Sequence, residues 1–308
     1  ITSESRSADA NIAAHLRSEL SRDLLIGMYI GPSRANRKPI LQLLTPGGET
    51  FAFAKVGLNP LTDDLVHREA HALSELAGAR LDRLELPRLL HHGTWRGHAV
   101  LVETAFDSLP SRPDASQLGA AMSELSAVLG TERGTTAGSA YWSTLQTRLH
   151  SLPAGRLGDR LATAVDRLGA SRGNVPLSFG SWHGDWTPWN MSMRHGRALV
   201  WDWERFETRV PIGFDGLHFS LQSAVVRRRT APRLAAEQTV DNAAAILTPF
   251  GVGPAPATIT ALLYLADICA RYLGDGQAQA GARLGNVDRW LLPALESRAA
   301  ALDRAGLR

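Results

Sequence analysis

The chain has 308 residues, 33 of them basic and 30 acidic, for a formal net charge of +3. This length suits one large domain or two lobes, and a hydrophobic fraction of 44% with 20% charged residues is that of a globular protein. One cysteine, Cys269, excludes an internal disulfide and any cysteine-based metal cluster, and no apolar run is long enough to cross a bilayer.

The opening ITSESRSADANIAAHL lacks a basic segment followed by an apolar core, so no secretory signal is expected and a cytoplasmic location follows. The basic residues are scattered. Their one dense run, Arg227-Arg228-Arg229, reads as a solvated helix face, so neither a nucleic-acid nor a membrane partner is expected. The 33 basic residues divide into 31 Arg and only two Lys, Lys38 and Lys55. In such a chain a lysine stands out as a place where a compact ammonium is needed.

In chain order, residues 9–22 carry Ile12, Leu16 and Leu20 at helical spacing. LLIGMYIG (24–31), PILQLLTP (39–46) and TFAFAKVG (50–57) are three strand-like runs separated by the turn signals GPSRANRK and Pro46-Gly47-Gly48-Glu49, an antiparallel meander. A helix is predicted over 63–78, opened by Asp63 and Asp64, with Leu65, Ala72, Leu73 and Leu76 as its apolar stripe and Gly78 at its end. LPRLLHHG (86–93) and HAVLVETAF (98–106) read as two more strands around the turn TWRG. Five strands with one helix after the third form a β-rich N-terminal lobe, residues 1–106. A polar stretch with Pro110 and Pro113 reads as a crossover into a mostly helical lobe, residues 107–308, interrupted by a two-stranded patch around 192–203. The expected class is α+β. Cys269 falls in the apolar run ALLYLADICARYL and reads as a small core residue.

The chemistry concentrates in HGDWTPWN (183–190) and VWDWE (200–204). Phosphoryl transfer needs metal ions to neutralise phosphates, a lysine to position them and a carboxylate near the attacking hydroxyl. Asp185 and Asn190 have the five-residue separation of a kinase catalytic loop, the Asp as base and the Asn on magnesium. Asp202 follows past a hairpin turn at Arg194-His195-Gly196-Arg197, where a second, metal-bridging aspartate belongs. A carboxylate and an amide oxygen are hard ligands suited to Mg²⁺. Lys55 lies on the third strand, where a phosphate-pairing lysine belongs, and Glu69 on the next helix can pair with it. His183 reads as a structural residue of the loop. GPSRANRK offers backbone amides, the Ser33 hydroxyl and the charges of Arg34, Arg37 and Lys38 to phosphates; the competing reading is a solvated basic hairpin tip.

These residues resemble the aminoglycoside phosphotransferase and choline kinase group, relatives of protein kinases that act mostly on small molecules. The resemblance rests on HGDWTPWN, VWDWERF, FDGLHF and the Lys55–Glu69 pair, and spans about residues 24 to 275. It implies a two-lobed protein-kinase-like fold with ATP in the cleft, the adenine held by backbone around Glu103, Thr104, Ala105 and Phe106. It implies Asp185 as catalytic base, Asn190 and Asp202 as Mg²⁺ ligands, and Asp215 as the brace of the catalytic loop. The sequence departs from the group in having GPSRANRK in place of a glycine-rich loop and FDGLHF where an Asp-Leu pair is common. It also has no A-P-E segment of a regulated protein kinase.

The acceptor is less legible. From Asp215 to the end there are eight acidic residues against ten Arg, a poor match to a polycation trap. Trp182, Trp186, Trp189, Trp201 and Trp203 surround the motifs and suit either stacking on a substrate or packing beneath the loop. Glu204 could serve a hydroxyl or a cation. The expectation is transfer of the γ-phosphate of ATP to a hydroxyl of a sugar, amino alcohol or antibiotic. The alternatives are a Ser/Thr peptide kinase of natural-product maturation, which needs a long open groove, and a non-catalytic nucleotide-binding pseudokinase.

Overall fold

The computed structural model describes residues 11–106 and 115–306. The crossover expected around Pro110 and Pro113 lies outside the described residues. Helix α1 (Ile12–Leu20) precedes strands β1 (Leu25–Ile30), β2 (Pro39–Leu44) and β3 (Thr50–Val56). Helix α2 (Pro60–Leu76) follows, then β4 (Leu84–Glu85), β5 (Leu89–Trp95) and β6 (His98–Thr104). The five-stranded antiparallel sheet has the order β1-β2-β3-β6-β5. Its inner strand β3 pairs Lys55 with Ile40 of β2 and Leu101 of β6, fixing which face the lysine occupies.

Helix α2 begins three residues before the predicted start. Asn59 rather than Asp63 is the N-cap. Its Oδ1 accepts the Thr62 N–H at 3.0 Å, while the Asn59 N–H donates to Thr62 Oγ1 at 3.0 Å, with Pro60 in the first turn. This reciprocal pair satisfies two donors that a helix start leaves open. Asp63 turns outward from the helix and accepts the Ala99 N–H of β6 at 2.9 Å, which ties helix to sheet. Glu69 sits on the same buried stripe as Leu65, Val66, Ala70 and Leu73.

The helical lobe comprises α3 (Ala115–Ala127), α4 (Ala140–His150), α5 (Arg156–Arg172), α6 (Phe214–Gln222), α7 (Pro232–Asp241), α8 (Ala243–Leu247), α9 (Pro254–Gly274) and α10 (Leu291–Gly306). Its core forms around α9, nearly all of whose residues from Ile259 to Ala270 are fully buried, Cys269 among them. No single described helix is long and apolar enough to cross a membrane. The expected hairpin is β9 (Met191–Arg194) with β10 (Arg197–Val200), turning at His195 and Gly196, both at positive φ. It is part of a three-stranded sheet, because β4 pairs with β10 in parallel. A further three-stranded sheet, absent from the sequence reading, is β11-β8-β7, from Glu132–Thr135 (β7), Pro176–Trp182 (β8) and Glu207–Pro211 (β11). Strand β8 runs directly into His183, and β11 leads into α6, so this sheet sets the spacing between the catalytic loop and Asp215.

A second buried cluster joins Val66, Ala70 and Leu73 of α2 to Trp186, Met191, Val200 and Trp203. It presses the helix carrying Glu69 against the segment carrying Asp202. Replacing Asn59 by Ala should lower the free energy of unfolding by about 1 kcal/mol, since one capping side chain is lost. Chemical denaturation measures it, and an unchanged midpoint would remove the cap from this account.

Candidate active site

Lys55 reaches across the cleft. Its Nζ lies 2.5 Å from Glu69 Oε1, 3.2 Å from Asp202 Oδ1 and 3.3 Å from Glu103 Oε1. Lysine and glutamates are all buried. Burial opposes the lysine charge, but Glu103, Glu69 and Asp202 outweigh it and hold the amine's pKa well above its ordinary value. Burial pushes the Glu69 and Glu103 carboxyls upward, with Lys55 opposing. For Asp202 burial also acts upward, yet Lys55, Lys38 and Arg34 prevail and keep it well below the carboxylate range. Asp202 takes a left-handed backbone conformation, φ 72°, unusual for a residue with a Cβ and characteristic of functional positions. Glu69 Oε1 also accepts the Trp203 N–H at 2.9 Å, which fixes the backbone beside Asp202.

The other lysine is buried too. Lys38 forms an ion pair with Glu204, and Asn36 Nδ2 donates to Glu204 Oε1 at 2.9 Å. The Glu204 carboxylate is thus engaged by two residues of the GPSRANRK segment. The segment itself is docked rather than a free hairpin tip. Ser33 Oγ donates to the Ala280 carbonyl at 3.0 Å, and Gln277 Oε1 accepts the Ala35 N–H at 3.2 Å. Ser33 is therefore turned to the helical lobe. Glu103, expected for its backbone, also brings its carboxylate to Lys55, and the Ala105 N–H donates to the Phe51 carbonyl at 2.9 Å. Extension of the β3–β6 ladder uses that donor internally.

The residues of the HGDWTPWN loop are held together by hydrogen bonds of their own. Asp185 Oδ2 accepts Asn190 Nδ2 at 2.9 Å, which leaves the Asn190 Oδ1 as the atom available to a cation. The Asn190 carbonyl accepts the Trp201 N–H at 3.1 Å, joining the loop to the segment between β10 and Asp202. Asp215 accepts the His183 and Gly184 N–H groups at 2.8 and 3.2 Å, a brace under the loop. Burial pushes its carboxyl up to about 7, against the pull of those two donors. Gly184 is required where it stands: φ is +83°, and a Cβ would lie 2.1 Å from the Arg205 carbonyl oxygen.

His183 Nδ1 accepts the Asp185 N–H at 3.1 Å, so Nε2 carries the proton and donates to the Trp201 carbonyl at 3.1 Å. Burial lowers its pKa to about 4 although Asp185 and Asp202 act to raise it. The ring packs edgewise on Trp203 and Trp186. Trp182, Trp186 and Trp203 are buried packing, whereas Trp189 is 42% exposed at the cleft.

One site residue was missed by sequence reasoning. His218 Nε2 lies 3.0 Å from Asp185 Oδ1 and its Nδ1 lies 2.9 Å from the Tyr264 hydroxyl. It follows Asp215 by three residues on α6, so both face the loop. That spacing within FDGLHF was the available signal.

The oxygens of Asp202, Asn190 and the neighbouring glutamates make a hard donor set that fits a divalent cation such as Mg²⁺. Glu69, Asp202 and Glu204 each offer an oxygen within 4.8 Å of the others.

No family model and no curated protein matches the chain. Its fold matches solved structures over nearly its whole length. An amicoumacin kinase in complex with AMP-PNP and Ca²⁺ is 11% identical at a TM-score of 0.55, covering 97% of this chain and 96% of the other. A putative fructosamine-3-kinase from Haemophilus somnus is 13% identical at 0.53, covering 97% and 99%. A thermostable mutant of an aminoglycoside phosphotransferase in ternary complex with ADP and hygromycin B is 12% identical at 0.57, covering 94% and 98%. The chain has the two-lobed, α+β, protein-kinase-like fold of these proteins.

The side-chain ¹⁵N signals of His183 should keep the neutral, Nε2-protonated pattern from about pH 8 down to about pH 5, because burial disfavours the imidazolium. Protonation near pH 6.5 would contradict the assigned hydrogen bonds.

Proposed function

We propose that the chain is an ATP- and Mg²⁺-dependent phosphotransferase that moves the γ-phosphate of ATP to a hydroxyl of a small molecule. The observation that carries this reading is the Lys55 ammonium, held between Glu69 of α2 and Asp202 at 2.5 and 3.2 Å, with the Asp185–Asn190 pair tied to the Asp202 segment through the Trp201 N–H. Those five side chains are what phosphoryl transfer asks of a protein. The likeness in fold to kinases solved with AMP-PNP or ADP supports the reading. In it the lobes divide near Phe106, the nucleotide lies in the cleft between them, and the cytoplasm is the compartment that supplies it.

Asp202 and Asn190 would hold Mg²⁺, which when bound would neutralise phosphate charge. Lys55 donates to phosphate oxygens. Asp185 orients the acceptor hydroxyl and takes its proton as the new O–P bond forms and the bond to the leaving ADP breaks. Asn190 and His218 each engage one Asp185 oxygen and fix the carboxylate's rotation. Glu204 acts with Lys38 to dock the 31–38 segment rather than on the acceptor, and Asp215 acts on the loop backbone. Because the Ala105 N–H is used by Phe51, the base is held by other groups of the Glu103–Phe106 segment. Phe106 and Trp201, with ring centroids 6.2 Å apart, supply an aromatic border there.

A small acceptor is favoured over a peptide. The space beside Asp185 is a partly open pocket of about 160 Å³ whose lining includes Arg34, Asn36, Tyr272 and Gln277, a volume that suits a small molecule better than an extended peptide. Retention of Lys55, Asp185, Asn190 and Asp202 argues against a non-catalytic role.

Asp185→Asn should abolish phosphate transfer while leaving Mg-ATP affinity within about two-fold of the parent, and unchanged turnover would sink the assignment. Asp202→Ala should instead weaken Mg-ATP binding by about ten-fold or more, read by calorimetry.

A further inference from the structure

The cavity beside Asp185 is lined by three guanidinium groups, those of Arg34, Arg205 and Arg271, and by two carboxylates, those of Asp185 and Asp275. Both carboxylates already have partners within the protein. Asp275 is ion-paired with Arg205 and also accepts Gln277 Nε2 at 3.4 Å. Asp185 is held by Asn190 and His218 at 2.9 and 3.0 Å. Glu204, next in the chain to Arg205, is engaged by Lys38 and Asn36.

The arginines are less fully matched. Arg205 is neutralised by Asp275. Arg271 donates from Nη1 to the Gly184 carbonyl at 2.6 Å and lies over the Trp182 ring at 4.9 Å, contacts that orient its plane without cancelling its charge. Its nearest carboxylate, Asp267, is 3.9 Å away, and Arg148 holds that group more closely, at 3.3 Å. Arg34 is exposed on the 31–38 segment, and its charge acts on Asp202 without an ion pair within 4.0 Å among the described residues. A planar guanidinium with donors to spare, fixed in orientation beside a reacting carboxylate, is suited to bidentate recognition of an oxyanion.

We propose that the acceptor carries an anionic group, a carboxylate or a phosphate ester, that is seated on Arg271 and Arg34 and so presents its hydroxyl to Asp185. This rests on the phosphotransferase reading of the same site and adds the acceptor's class to it. A polycationic acceptor would meet like charge in this cavity. An anion gains charge-assisted hydrogen bonds there and also offsets the repulsion between the arginines. The half-exposed Trp189 indole, on the cavity wall, offers an apolar face to the rest of the acceptor.

The test uses the whole chain saturated with Mg-AMP-PNP, so that donor-phosphate positions are filled. Binding of glucuronate, glucose 6-phosphate, glucose and glucosamine is followed at constant ionic strength by the Trp189 indole signal in ¹H–¹⁵N spectra. At least one of the two anionic sugars should bind about ten-fold or more tighter than glucose and glucosamine. The better of the two distinguishes carboxylate from phosphate ester. Arg271→Gln should bring the anionic sugars to within about two-fold of glucose. Arg34→Gln, on the exposed segment and outside the core, should weaken the anion preference in the same direction. Preference for glucosamine, equal binding of all four sugars, binding of none, or an anion preference untouched by both substitutions would overturn the proposal. Failure of Mg-AMP-PNP to bind the parent protein would overturn the phosphotransferase reading itself, and the two failures are read separately.

Discussion

An ammonium group buried among three carboxylates is the contact on which the rest of the site depends. Lys55 alone would be too costly to bury, and so would Glu69 on the apolar stripe of α2. Together, with Asp202 and Glu103 in reach, they make burial tolerable and fix the sheet, the helix and the Asp202 segment relative to one another. The hydrophobic cluster around Trp186 and Trp203 supplies the cohesion for that arrangement, and the charges supply its register. Excess negative charge around the two lysines is also what a divalent cation would offset.

In the phosphotransferase reading the segment 31–38 would cover the nucleotide as a glycine-rich loop does, by different means. Where a glycine-rich loop relies on backbone freedom, this one is anchored by side chains. Lys38 and Asn36 hold Glu204, and Ser33 and Ala35 hold the 277–280 region. Its closed position therefore depends on residues of the helical lobe. Donor and acceptor sides of the cleft share one roof, with Arg34 and Asn36 facing the acceptor cavity.

Much of this was legible in the sequence because it is local. The Asp185–Asn190 spacing, the hairpin before Asp202 and the three-strand meander β1-β2-β3 are set by nearest neighbours and turn residues, and each is in place in the structure. Glu69 was legible as a carboxylate one turn from both Leu65 and Leu73. What was not legible is what depends on long-range pairing. The β11-β8-β7 sheet pairs residues distant in sequence, such as Glu132 with Phe179 and Pro211 with Phe179, in short strands with weak alternation. The two-residue β4 exists only because β10 lies beside it. The start of α2 was misplaced because acidic residues were weighed above the Asn-Pro cap. Glu204 and Ala105 were assigned outward roles, whereas a partner distant in sequence already engages each. His218 went unnoticed because its partners, Asp185 and Tyr264, are 33 and 46 residues away.

Having arginine in nearly every cationic position leaves the chain with two ε-amines in 308 residues, and both are buried in the cleft. Amine chemistry on the folded protein is thereby confined to its working centre. A small acylating reagent carried on a nucleotide would meet no competing lysine on the surface. An enzyme that cleaves only after lysine would find both of its target bonds sequestered until the lobes come apart. Lysine reactivity in this chain thus reports directly on whether the cleft is formed.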